Sequence, residues 1–161
     1  MLTWRVAVLF VHLMAVIAGL GGSLFNVFIL SPVLRGELEA SQRLKVVRPL
    51  IRRSGFLVLG ALAVLVATGI VNVILLGRLT VLLVLKLVLV AAALAVAHYQ
   101  YGILGRRFLA LSADGPGPEV AALERGMRRM AMALGGLMIM IVYLALGITR
   151  AAGFWAAAVH L

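Results

Sequence analysis

Leu79–Leu104 reads LTVLLVLKLVLVAAALAVAHYQYGIL. A helix needs roughly 20 apolar residues to cross a bilayer, and this stretch exceeds that. Yet it carries Lys86 within it and His98 near its end. A cationic side chain in hydrocarbon costs about 2.5–3.5 kcal/mol on insertion scales. Lys86 therefore needs a partner or a cofactor, unless its amine escapes to the interface.

Working outward, three similar runs appear at Val6–Leu30, Ser54–Leu76 and Met130–Thr149. All are continuously apolar with no period of two, which predicts helices rather than a barrel. Over 161 residues, 65% are hydrophobic, where soluble domains have roughly half. The expected fold is all-α: one polytopic membrane domain, residues 1–161, forming an antiparallel bundle of four transmembrane helices. The first run is too long for a signal peptide, and only Arg5 flanks it. The chain has no cysteine, which excludes disulfides, thiolate metal sites, iron–sulfur clusters and covalently attached c-type haem.

The net charge of +10 does not point to nucleic acid, because the basic residues lie mainly between the apolar runs. Arg35, Arg43, Lys45, Arg48, Arg52 and Arg53 fall in the first long connection, Ser31–Arg53. Arg106, Arg107, Arg125, Arg128 and Arg129 fall in the next long one. Only Arg5, Arg78 and Arg150 remain on the other side. Basic loops stay in the cytoplasm. The expected setting is thus the inner (cytoplasmic) membrane, with both long loops inside and both termini outside. The short Gly77-Arg78 turn predicts that spans two and three form an antiparallel hairpin. Ala113–Pro118 breaks the second long connection, and Glu119–Arg129 reads as a helical extension of span four, with Glu124 and Arg128 an i,i+4 surface pair. Gln42–Arg53 reads as a similar extension of span two, with a kink near Pro49. A weak echo links Arg52-Arg53…Gly69-Ile70 to Arg128-Arg129…Gly147-Ile148.

Helices pack in lipid through small and occasional polar side chains. This marks His12, Ala15, Gly19, Ser23 and Asn26 as the inward stripe of span one. For span two it marks Ala61, Leu65, Thr68 and Asn72; for span three, Lys86, Ala93, Ala97 and Gln100 or Tyr101. For span four it marks Met132, Gly136, Met140, Tyr143 and Gly147. His12 lies about 10 Å along span one from Arg5, and Lys86 about 10 Å along span three from Leu79, at 1.5 Å per residue. The two share a level in the outer half of the membrane. His98 lies about 18 Å deeper than Lys86 and about 120° round the helix. One planar ligand could touch His12 and Lys86 together, but not Lys86 and His98.

VHLMAVIAGLGGSLFNVFILSPVL in span one, RRSGFLVLGALAVLVATGIVNVI in span two and LLVLKLVLVAAALAV in span three are similar to the first three spans of copper resistance protein D (CopD) domains. HemJ-type protoporphyrinogen oxidases share this skeleton, with a His in span one, a Lys in span three and a His at the end of that span. Here those positions are His12, Lys86 and His98. The HemJ resemblance implies b-type haem held by the His and the Lys, and membrane oxidoreductase chemistry. The CopD resemblance implies copper uptake.

Three functions follow as expectations. In the favoured one, the chain is a cytochrome b-like electron-transfer protein. It binds haem b between spans one and three, with His12 as axial ligand and Lys86 as second ligand or stabiliser. His98 is a lesser candidate ligand. Arg5, Arg78 and Arg150 ring the same end, where guanidinium forks could hold propionates, and Tyr143 and Asn72 complete the candidate pocket. The partner would be a quinone or a porphyrin from the bilayer, and a homodimer would complete the wall around the macrocycle. The alternatives are a copper permease and a non-catalytic membrane subunit. The bland readings are snorkelling for Lys86, a helix-to-helix hydrogen bond for His12, membership of an inner aromatic belt for His98 beside Tyr99 and Tyr101, and a tail position for His160. The methionines are spaced for gap-filling rather than for a dense copper site.

Overall fold

Residues 4–76 and 80–151 are described by a computed structural model. Four helices are long and apolar enough to cross a membrane: Trp4–Glu37, Ala40–Ile74, Val81–Asp114 and Pro118–Ile148. Among the described residues there is no strand.

The first span is α1 (Trp4–Phe25), a π-helical turn over Asn26–Leu30, and α2 (Ser31–Glu37). The chain reverses through Leu38, which is extended, and α3 runs over Ala40–Leu76 with Pro49 inside it. The third span repeats the pattern as α4 (Val81–Ala97), a π-helical turn over His98–Leu104, α5 (Gly105–Leu111) and a 3-10 turn at Ser112–Asp114. Gly115 makes the reversal at φ +109°, a conformation that favours glycine. Pro118 then opens α6 (Pro118–Ala151), where its missing N–H costs no helical bond. Thr80 starts α4 by accepting the Leu83 N–H at 3.3 Å. The halves are thus two versions of one helical hairpin, and the Arg-Arg…Gly-Ile echo falls in the corresponding helices α3 and α6.

Small residues set the packing. A Cβ added at Gly19 would stand 3.6 Å from the Ala61 Cβ, one at Gly22 would stand 3.6 Å from Leu57, and one at Gly135 would stand 3.6 Å from Leu24. In these pairs one number rises as its partner falls, so neighbouring helices run antiparallel. Span one packs along span two, span three along span four, and span one also along span four. Spans two and three behave differently. They meet near the Arg-rich end, where a Cβ at Gly55 would stand 3.3 Å from the Tyr101 ring, but α3 and α4 touch only sparsely beyond it. Spans two and three are thus less closely packed than the other neighbouring pairs, and the Gly77-Arg78 turn of their expected antiparallel hairpin lies outside the described residues.

Val58, Leu62, Ala93, Ala97, Leu134 and Met138 form the central core, and a second cluster around Phe108 closes the Arg-rich end. The perimeter is apolar too: Phe56 is 74% exposed and Phe28 is 68% exposed. Large apolar side chains around a whole bundle suit hydrocarbon rather than water.

Three expectations need correcting. Gln42–Arg53 and Glu119–Arg129 extend spans two and four as expected, but the rest of the two long connections is not loop either, because α2 and α5 prolong spans one and three and leave tight reversals. Span four turns the other way: Ala131, Leu134, Gly135 and Met138 are buried, while Met132, Gly136, Met140 and Tyr143 are exposed. Glycine and tyrosine suggested a packing stripe, but Gly136 faces open space. Volume filling by Leu134 and Met138 sets the rotation instead. Finally, Glu124 does not pair with Arg128 as a surface couple. It reaches Arg35 at 3.1 Å and Arg43 at 3.6 Å, tying spans one, two and four together.

Candidate functional site

Where spans two and three part, the bundle holds a cavity of about 290 Å³. Val16 lines it from span one, Leu65, Gly69 and Val73 from span two, Leu83 and Val90 from span three, and Met138 and Ile141 from span four. Among the described residues lining it, His12 and Lys86 are the polar ones. Ile70, Ile74 and Leu87 also line it and are 56%, 71% and 44% exposed, so the cavity opens through the gap between spans two and three.

The helix register explains the meeting. The pairing that sets Gly19 against Ala61 also sets His12 against Thr68, two turns nearer the start of α1. His12 Nδ1 stands 2.7 Å from Thr68 Oγ1. The Thr68 hydroxyl donates to the Val64 carbonyl at 2.6 Å. A hydroxyl has one proton to give. With that proton on Val64, Oγ1 accepts from His12, so Nδ1 carries the imidazole proton and Nε2 keeps a lone pair. Gly69 lies beside the ring, where an added Cβ would stand 3.9 Å from His12 Cε1, an ordinary contact. Lys86 is half-buried, and among the described residues its amine has no hydrogen-bond or ion-pair partner.

The other candidates separate from this pair. Asn72 is half-buried but does not line the cavity. Tyr143 is 71% exposed on the outer surface, so the pocket role given to it from sequence is withdrawn. Its helix is rotated so that Ile141 and Val142 face the cavity instead. His98 is exposed beyond the central core and lies off the cavity. Arg5 is exposed. Arg78, His160 and the side chain of Arg150 lie outside the described residues. Thr68 and Gly69 are the residues whose part sequence reasoning missed. Thr68 lay in the inward stripe of span two, and the antiparallel register of spans one and two was the signal that would have set it against His12.

Among the described residues no group of three or more His, Asp or Glu side chains converges as a metal site. A porphyrin brings its own four nitrogens, so one imidazole suffices for haem iron. The donor set of one lone-pair imidazole and one amine over apolar walls fits such a group. No family model, curated protein or solved structure matches this chain.

Proposed function

We propose that this chain is a multi-pass membrane protein that holds b-type haem in the cavity between spans two and three and serves in electron transfer. The observation that carries the reading is the 2.7 Å contact of His12 Nδ1 with Thr68 Oγ1, which leaves Nε2 as the ring nitrogen without a hydrogen-bond partner among the described residues, on a histidine that lines an apolar cavity. A hydrogen bond on the far nitrogen is the usual support of a metal-ligating histidine.

Each residue has a part in this reading. His12 is the iron ligand, Thr68 orients it, and Gly69 packs beside the ring. Lys86 is the second ligand or a donor to the bound group. The Leu, Ile and Val walls exclude water, which helps set a redox potential. Haem, when bound, supplies one-electron chemistry. The cavity, about 290 Å³, is smaller than a whole porphyrin, so the macrocycle would also use the lateral gap. A second copy of the chain against that gap would complete the wall. The positive-inside rule supports a cytoplasmic Arg-rich end, external termini and a cavity in the outer leaflet. The resemblance of His12 in span one and Lys86 in span three to the HemJ-type pattern supports the same assignment.

The lateral gap favours one second reading, a lipid-soluble quinone bound through its carbonyl oxygens to Lys86. The CopD resemblance points to a copper permease, but no comparable feature among the described residues favours it. An ion leaving the cavity toward the Arg-rich end would have to cross the packed layer of Val58, Leu62, Ala93, Ala97, Leu134 and Met138.

The test is an absorption spectrum of detergent-purified protein, oxidised and reduced. A Soret band is expected, with reduced α and β bands, and it disappears in His12→Ala. A colourless wild-type protein from haem-replete cells would overturn the haem reading. Quinone retained in that colourless protein and lost in Lys86→Met would establish the second.

A further inference from the structure

At the opposite end of the bundle, both π-helical turns border a second cavity of about 70 Å³. All four spans reach it, including Asn26 from the first π turn and Gln100 from the second. π turns inside α-helices are rare and concentrate at functional sites. Gln100 is only 3% exposed, lines this cavity, and its Oε1 has no hydrogen-bond partner among the described residues. The buried Nε atoms of Arg43 and Arg128, on two other spans lining the same space, are also without one. Buried polar atoms without partners are few in folded proteins, and each calls for an explanation.

The charges indicate what the cavity takes. Arg35, Arg43 and Arg128 line it with one carboxylate, Glu124, which two of those arginines already engage. The remaining field is positive, and Ser31 adds a hydroxyl donor, whereas the Ser54 hydroxyl already donates to the Ile51 carbonyl at 3.3 Å. Guanidinium forks recognise tetrahedral oxoanions. The Gln100 carboxamide carries donors as well as an acceptor and can turn its NH2 to such a ligand. About 70 Å³ holds several waters or one such oxoanion. We propose that this cavity is a binding site for a phosphate group, supplied by an anionic phospholipid headgroup or by free phosphate. It is separate from the cavity holding His12 and does not depend on haem.

The experiment uses the full chain in neutral detergent. Thermal unfolding is followed against inorganic phosphate, with chloride at matched ionic strength as control. In a second arm, native mass spectrometry reads lipid retained from mixed micelles of phosphatidylglycerol and phosphatidylcholine. A saturable rise in Tm with phosphate alone assigns the site to free phosphate. Selective retention of phosphatidylglycerol alone assigns it to a headgroup, and both together mean that the phosphate group is enough. Arg128→Gln is expected to raise the half-saturating concentration, or cut the retained lipid, at least tenfold. Gln100→Leu does the same and serves if Arg128→Gln does not fold. Arg125→Gln, on the exposed side of α6, keeps the wild-type response. No response to either probe, or an undiminished one in the folded Arg128 or Gln100 variant, overturns the proposal.

Discussion

At the scale of single residues, the chemistry rests on an ordinary hydroxyl. The Thr68 hydroxyl lies 2.6 Å from the Val64 carbonyl and 2.7 Å from His12 Nδ1, so the direction in which it gives its one proton decides which imidazole nitrogen is free. Thr68→Val keeps the shape and removes the contact. Loss of such a supporting contact costs about 10–100-fold in metal affinity. Haem titration of the folded variant should show a drop of that size, and an unchanged affinity would remove Thr68 from the site. Lys86→Met makes a different prediction. An amine facing apolar walls without a protein partner weakens the unliganded fold, by up to about 3 kcal/mol on insertion scales. The haem-free Lys86→Met protein should therefore melt higher than the haem-free wild type, while its haem-loaded form shows an altered Soret maximum. Equal melting of the two haem-free proteins would mean that the amine already reaches water.

At the scale of helices, close approach and open space sit on different glycines. The Cβ position of Gly19 is already 3.6 Å from Ala61, whereas that of Gly136 has no heavy atom within 4 Å. Gly19→Leu must force α1 away from α3, and overpacking of this kind costs about 1–3 kcal/mol. It also shifts His12 relative to Thr68, so haem occupancy should fall with stability. Gly136→Leu adds apolar surface toward the surroundings and should leave both unchanged. Thermal unfolding in detergent with a Soret-to-protein absorbance ratio compares the pair. Equal effects would mean that span four is rotated from the orientation described. Sequence reasoning placed the inward faces of spans one to three well because each carries polar or small residues in a helical stripe. It misplaced span four, whose apolar residues on both sides are equally acceptable to lipid and to protein.

At the scale of the whole molecule, the bundle has two chemically different ends. One gathers arginines around Glu124, and the other opens an apolar cavity between spans two and three. A packed central layer separates them. The proposed orientation, which rests on the positive-inside rule, has the reversals around Leu38 and residues 115–117 in the cytoplasm. The chain has no native cysteine, so Leu38→Cys and Gly117→Cys report their side without background. Both should resist a membrane-impermeant maleimide in intact cells and react after permeabilisation. Labelling of both in intact cells would invert the molecule and place the cavity lined by His12 and Lys86 in the inner leaflet.

Run length and polarity determined the number of spans, their helical nature and the gathering of arginines at one end, because hydrocarbon requires each segment to satisfy its own backbone hydrogen bonds. The shared level of His12 and Lys86 was also legible, since helix rise is fixed at about 1.5 Å per residue. The tertiary structure alone decided which helices pair closely, where spans two and three part, which face of span four turns inward, and that Thr68 completes the imidazole's setting. Those features depend on how side-chain volumes interlock between segments far apart in the chain. Hydropathy carries no record of that, because lipid and protein interior are nearly equivalent surroundings for a leucine.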